Sequence, residues 1–192
     1  MSKAIIGVLA LQGDFREHLD AIGKCGAEGK EVRLPADLDG IAGLIIPGGE
    51  STTIGKLMAM YGMDRAIHTH HDDGMAIWGT CAGAILLARG IIGSSQPRLG
   101  MMDIAVKRNE YGRQVDSFET KLDVKGIGNL KGVFIRAPVI HHAGKAVEVL
   151  ASHRGHPVLV RQDRLLASTF HPELSGSMAV HRYFIAMARN VG

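Results

Sequence analysis

The stretch Gly79-Thr80-Cys81-Ala82-Gly83 constrains the folding of this chain more than any other. It lies between two apolar runs of different character. Met75-Ala76-Ile77-Trp78 reads as a buried strand, and Ala84-Ile85-Leu86-Leu87-Ala88, apolar all round, reads as a buried helix. A strand that becomes a helix over so few residues needs small side chains on both sides of the apex, because anything larger collides with the adjoining backbone. The apex is Cys81. Its sulfur is expected at a helix N-terminus, where unpaired N–H groups and the dipole favour thiolate over thiol.

The same strand-then-helix rhythm runs through the first half of the chain. Residues 4–11 form a continuous apolar run, as in a strand covered on both faces. A helix is expected next, with Asp14 as N-cap, Phe15, Leu19 and Ile22 on one face, and Gly26 and Gly29 marking its end. Residues 31–34 read as a second strand and 43–46 as a third. The third closes in Pro47-Gly48-Gly49-Glu50-Ser51, followed by a helix rich in Met and Leu. This rhythm predicts an α/β fold: a doubly wound, mostly parallel sheet with helices on both faces.

From about residue 102 to 169 helical signals thin out. Candidate strands at 104–108, 133–140, 146–151, 157–161 and 165–170 follow one another. Some are expected to pair antiparallel, extending the sheet or forming a small flanking one. A final amphipathic helix carries Val180, Phe184, Met187 and Val191. There is no internal repeat or linker, and 192 residues suit one domain spanning 1–192.

Composition narrows the function classes. No apolar run reaches membrane-spanning length, and Met1-Ser2-Lys3 leads straight into a strand-like run rather than a secretory signal. Two cysteines, Cys25 and Cys81, without other signs of secretion predict a reduced, cytoplasmic protein. The formal charge is only +3, and basic residues are scattered without interleaved aromatics, so neither nucleic acid nor a membrane is an expected partner.

In open α/β sheets ligands bind at the carboxyl ends of the strands. Gln12-Gly13, Pro47-Gly48-Gly49 and Cys81 all follow strand-like runs, so they are expected on one rim. His171-Pro172-Glu173, far downstream, supplies a base and a carboxylate to orient it, giving a candidate Cys81–His171–Glu173 triad. The N–H groups of Gly49 and Ala82 are candidates for an oxyanion hole. His68, His70 and His71 with Asp72-Asp73 suggest a polar helix end rather than a metal site. His141-His142 and His153 are expected in surface loops, and Cys25 as a core thiol.

Together the motifs at 47–51, 79–83 and 171–173 resemble the class I (triad) glutamine amidotransferases. More narrowly, the chain resembles the glutaminase subunits of pyridoxal 5′-phosphate synthases. That resemblance rests on Leu9-Ala10-Leu11-Gln12-Gly13 with Glu17-His18, Arg108-Asn109 with Gly112-Arg113-Gln114, Ser117-Phe118-Glu119, and Phe134-Ile135-Arg136-Ala137-Pro138. It extends from the first strand to the last helix, with no departure at a catalytic position.

The resemblance implies hydrolysis of L-glutamine to glutamate and ammonia, which a synthase subunit in a large hetero-oligomer uses to build the pyridoxal phosphate ring. It implies Cys81 as nucleophile, with His171 and Glu173 completing the triad. Gly49, Glu50, Ser51, Arg108, Ile135 and Arg136 would line the glutamine site, without metal or organic cofactor. It also points to an isolated chain that is largely latent, with Gln12 placed to sense the synthase partner. Two other classes stay open at this stage. One is a Cys-dependent α/β hydrolase whose elbow cysteine pairs with a glutamate near the first strand, where this chain has Gln12. The other is a non-catalytic scaffold that has kept the fold, although neither Cys81 nor His171 is lost.

Overall fold

A computed structural model describes residues 4–108 and 117–189. Val191, Asn109 and Gly112-Arg113-Gln114 lie outside the described residues. The chain opens with strand β1 (Ile5–Leu9), helix α1 (Phe15–Lys24), β2 (Glu28–Val32), β3 (Gly43–Ile46), α2 (Ser51–Tyr61) and α3 (Met63–Asp72). Strand β4 (Ala76–Thr80) then runs into α4 (Ala82–Leu87). Next come β5 (Ala88–Ile91), β6 (Met102–Lys107), β7 (Ser117–Val124), β8 (Gly128–Ile135) and β9 (Val139–Ala143). The chain closes with β10 (Glu148–His153), β11 (His156–Gln162), β12 (Leu165–Ser168) and α5 (Ala179–Arg189).

The main sheet has seven strands in the order β10-β11-β12-β4-β3-β1-β2. From β12 to β2 every pairing is parallel, while β11 pairs antiparallel with both β12 and β10. The fold class expected from the sequence is therefore present, including its antiparallel extension. Because successive strand residues face opposite ways, Leu44 and Ile46 enter one core with Ile54 and Met58 of α2, Met63 and Ile67 of α3, and α4. Ile45 and Trp78 enter the other with Ile22 of α1 and Val180, Phe184 and Ile185 of α5. Strands buried on both faces must be apolar throughout, which is why the runs at 4–11 and 43–46 carry no alternation.

Several boundaries differ from the sequence reading. The apolar stretch 133–140 is two strands. Arg136 has φ 43, a left-handed conformation that breaks the ladder before Pro138. On one side β8 forms a hairpin with β7, and on the other β9 joins a three-stranded sheet, β5-β6-β9. Strand β7, with the charged residues Glu119, Lys121 and Asp123, and the four-residue β5 were not legible as strands. Strand β2 begins at Glu28 rather than 31, and Gly29 lies within it, where a Cβ would press on the Leu19 side chain at 2.9 Å. His141, His142 and His153 lie on strands, not loops; the first two are exposed, and His153 is half-buried against the rings of Phe118 and Phe134. Cys25 caps the end of α1 and is half-buried, not a core thiol. Among the described residues no helix is long and apolar enough to cross a membrane.

Candidate active site

Cys81 occupies the apex between β4 and α4 with φ 48 and ψ −100, outside the regions open to ordinary residues. Its N–H donates to the Ser168 carbonyl of the neighbouring strand at 2.8 Å, which ties the strained turn to the sheet. The flanking glycines are obligatory. A Cβ on Gly79 would strike the backbone of Gly83, and one on Gly83 would strike the carbonyl of Ile46 on β3. The small residues that made the turn legible are demanded by contacts inside the turn and with the adjacent strand.

His171 follows β12, and its N–H donates to the Val133 carbonyl at 2.8 Å. Its ring is buried beside Cys81, whose Sγ lies 3.9 Å from the Ile135 carbonyl, while Nδ1 lies 2.7 Å from Oε1 of Glu173. Burial opposes the charged imidazole. The hydrogen bonds and charges of Cys81 and Glu173 outweigh it, and the His171 pKa is pushed up to about 10. Burial pushes the Glu173 carboxyl up, opposed by its bond to His171. The structure thus brings Cys81, His171 and Glu173 together.

Asp14 holds the N-cap position of α1, but its side chain makes no capping bond. Oδ2 instead lies 3.6 Å from Nδ1 of His171. Burial raises the Asp14 carboxyl, and the nearby His171 lowers it. Asp14, His171 and Glu173 bring donor atoms within 4.8 Å of one another. Nδ1 of His171 is bonded to Glu173, so Asp14 adds a second carboxylate beside that edge of the ring. His68, His70 and His71 do not converge: their rings bond separately to Leu99, to Ala66 and Asp39, and to Met75.

Cys81 and His171 open onto a cleft of about 440 Å³. Gln12, Gly49, Glu50, Ser51, Cys81, Ala82, Arg108, Ile135, Arg136 and His171 all line it, while Glu173 lies behind His171. Glu50 caps α2 by accepting from Thr53 N–H at 2.9 Å. Burial raises its carboxyl, but bonds from Thr53 and Thr52 and the charge of Arg108 leave it below its usual value. Arg108 reaches Glu50 Oε1 at 3.2 Å and Gln96 Oε1 at 2.8 Å. Opposite them the Gln12 side chain accepts from Glu50 N–H at 2.7 Å.

Sequence reasoning missed Gln96, whose Oε1 gathers Arg108, Thr52 and Ser51, the two hydroxyls each at 3.4 Å. It lies in a Ser-Ser-Gln-Pro loop with no pattern to mark it. The contacts of the Asp14, His18 and His181 side chains were also missed, because their partners come from distant segments.

A model of the SNO glutamine amidotransferase family matches residues 8–190. The chain is 56% identical over 188 residues to a Thermus thermophilus protein named pyridoxal 5′-phosphate synthase subunit PdxT, covering 97% of this chain and 98% of that one. It is 52% identical over 189 residues to the protein of the same name from Pelotomaculum thermopropionicum, covering 97% and 96%. A crystal structure described as a glutamine amidotransferase superposes with a TM-score of 0.93 at 55% identity, over 95% of this chain and 98% of that one. With a family match over almost the whole length and more than half of the residues shared, the chain belongs to the SNO glutamine amidotransferase family.

Proposed function

We propose that this chain is the glutaminase component of a pyridoxal 5′-phosphate synthase, hydrolysing L-glutamine and passing the ammonia to a synthase subunit. The observation that carries the reading is the line from Cys81 through His171 to Glu173, with His171 held charged at the floor of a cleft walled by Glu50 and Arg108. Residues 1–192 act as one glutaminase domain, working in the cytoplasm within a large hetero-oligomer and engaging neither nucleic acid nor membrane.

Glutamine is a zwitterion with an amide at its far end. The Arg108 guanidinium suits its α-carboxylate and the Glu50 carboxylate its α-ammonium. In the free protein these two groups neutralise each other at 3.2 Å. Gly49, Ser51, Ile135 and Arg136 complete the walls. The Cys81 thiolate attacks the side-chain amide carbon, and the oxyanion is received by the N–H groups of Ala82 and Gly49. The His171 imidazolium protonates the departing nitrogen, releasing ammonia and leaving a glutamyl thioester. Neutral His171 then takes a proton from water as it attacks the thioester, and glutamate leaves as the thiolate returns. This hydrolysis requires neither metal nor organic cofactor.

Gln12 and the Gly48-Gly49 peptide form the switch. The Gly48 carbonyl accepts from Asp14 N–H at 3.1 Å, so reorienting this peptide means breaking a bond. Gly13, with φ 103, leaves room for that carbonyl, which a Cβ there would strike. A partner docking on the rim beside Gln12 biases that choice.

Incubation with L-glutamine, with and without the synthase subunit, tests the reading through glutamate release. Turnover that depends on Cys81 supports it. A scaffold would show none under either condition, and a hydrolase of another class would leave glutamine intact while turning over other esters or amides.

A further inference from the structure

Behind the triad lies a second pair of buried imidazoles that the reaction scheme leaves unused. His18 on α1 and His181 on α5 are both fully buried. Nδ1 of His18 is 3.0 Å from Nε2 of His181. On its other side, Nε2 of His18 is 3.2 Å from the Thr80 hydroxyl and 3.4 Å from Oε2 of Glu173. That oxygen has no conventional hydrogen bond among the described residues, and neither does Nδ1 of His181. Trp78 packs edge-on against both rings.

In a neutral pair two proton arrangements keep the hydrogen bond between the rings. If His18 carried its proton on Nδ1, it would donate to His181, and the Glu173 Oε2 would face a bare ring nitrogen. His181 would then hold an N–H at Nδ1 with nothing to accept it. A buried carboxylate oxygen and a buried N–H would both be orphaned. If His18 carries its proton on Nε2, that N–H bonds to the Thr80 hydroxyl at 3.2 Å with Oε2 of Glu173 beside it at 3.4 Å, and Nδ1 accepts from Nε2–H of His181. The atoms left unpaired are then acceptors alone, Nδ1 of His181 and Oε2 of Glu173, the latter with an N–H facing it at 3.4 Å, and an unpaired acceptor is tolerated better than an unpaired N–H.

We propose that His18 is a positioning residue of the triad: its Nε2–H faces the outer oxygen of Glu173 and holds that carboxylate ionised and oriented for His171, while His181 fixes the required tautomer. The order is then His181 donating to His18, the His18 Nε2–H bonded to Thr80 and facing Glu173, with Glu173 receiving His171 on its other oxygen. The charged and titratable groups facing Glu173 are His171, His18 and Asp14. Those facing His18 are His181, His171 and Glu173. Burial first, then the positive charge that His181 and His171 can carry, keeps His18 well below its ordinary pKa. Burial holds His181 at about 4, so both are neutral at working pH. Without the donor from His18, the proton between Glu173 and His171 shifts toward the carboxylate. Cys81 then has a neutral rather than a charged imidazole as its neighbour.

The inference rests on the triad reading above but is tested separately from it. Gln at position 18 keeps an amide donor near the Nε2 position, whereas Asn places one near Nδ1. The pH dependence of Cys81 alkylation by iodoacetamide, read by mass spectrometry with Cys25 as internal control, is compared in wild type, His18→Gln, His18→Asn and His18→Leu. Asn and Leu are expected to lower the rate of Cys81 alkylation near neutral pH by roughly tenfold, while Gln stays near wild type. With the synthase subunit present, kcat follows the same order and KM for glutamine does not. Selective ¹⁵N labelling of wild-type histidines is expected to show His18 protonated at Nε2 and bare at Nδ1, a readout that stands even where a variant fails to fold. An Nδ1–H tautomer, or folded Asn and Leu variants with an unchanged Cys81 profile and kcat, overturns the inference. Absence of glutamine turnover in wild type with the ordered alkylation shift intact overturns the functional reading alone.

Discussion

Nδ1 of His171 meets Oε1 of Glu173 at 2.7 Å, and both side chains are buried. A charged imidazole in such a place is stabilised only by its partners. Burial favours the neutral ring, and the hydrogen bonds and charges of Cys81 and Glu173 reverse that preference to give a pKa of about 10. The folded-state value is thus raised above that of the unfolded chain. The stability it contributes is fully present below the ordinary histidine range and is lost as pH rises through about 10. Chemical denaturation from pH 6 to 10.5 is expected to show a decline on the order of a few kcal/mol. Much of it should vanish in Cys81→Ala, which removes one of the two raising partners. An equally steep decline in that variant would show that Cys81 does not hold the His171 proton.

Cys81→Ala is expected to lower glutamine turnover by about 10⁴-fold or more while the fold persists, since it removes chemistry and little volume. An electrophilic glutamine analogue should label Cys81 and spare Cys25, whose thiol is pushed up by burial with only partial relief from Arg182. Peptide mapping that finds the label chiefly on Cys25 would contradict the assignment.

Within the triad, His171→Ala should approach the loss seen for Cys81, because His171 moves protons in both half-reactions. Glu173→Gln keeps one acceptor oxygen for His171 and should cost roughly 10²-fold. Steady-state kinetics with the synthase subunit gives the ranking. Full turnover in His171→Ala would show that the roles are wrongly assigned.

Two glycines are expected to respond with opposite signs. Gly83→Ala puts a Cβ against the Ile46 carbonyl, a rigid backbone atom at the elbow, so melting temperature and turnover should both fall. The cost is expected at about 3 kcal/mol or more. Gly23→Ala in α1 meets nothing within 4 Å and should stabilise by roughly 0.5–1 kcal/mol through backbone entropy. Thermal denaturation of the two variants side by side checks both.

Addition of the synthase subunit should raise kcat far more than it changes KM for glutamine. Gln12→Ala, which loses the 2.7 Å bond from Glu50 N–H, should blunt that response. A shift of only a few kcal/mol in the preference of the Gly48-Gly49 peptide suffices for such control. Equal turnover with and without saturating partner would refute the latency while leaving the hydrolase reading intact.

What the amino-acid sequence determined by itself is what neighbouring residues dictate to one another. The elbow at Cys81 was legible because its steric demands fall on Gly79 and Gly83, two positions away on either side. The parallel sheet was legible because strands covered on both faces must be apolar throughout. His171-Pro172-Glu173 places base and orienting carboxylate two residues apart, so that pairing too was local. Tertiary structure alone decided the rest. The run at 133–140 is uniformly apolar, and only the left-handed turn at Arg136 and the competing partners β7 and β6 divide it. Gln96 reaches Arg108 and Thr52 because the loop after β5 lies over α2. His18 meets His181 across 163 residues of chain because α1 and α5 pack on the same face of the sheet. Contacts of that kind depend on which segments the topology brings together, and a buried polar group leaves no periodicity in the residues beside it.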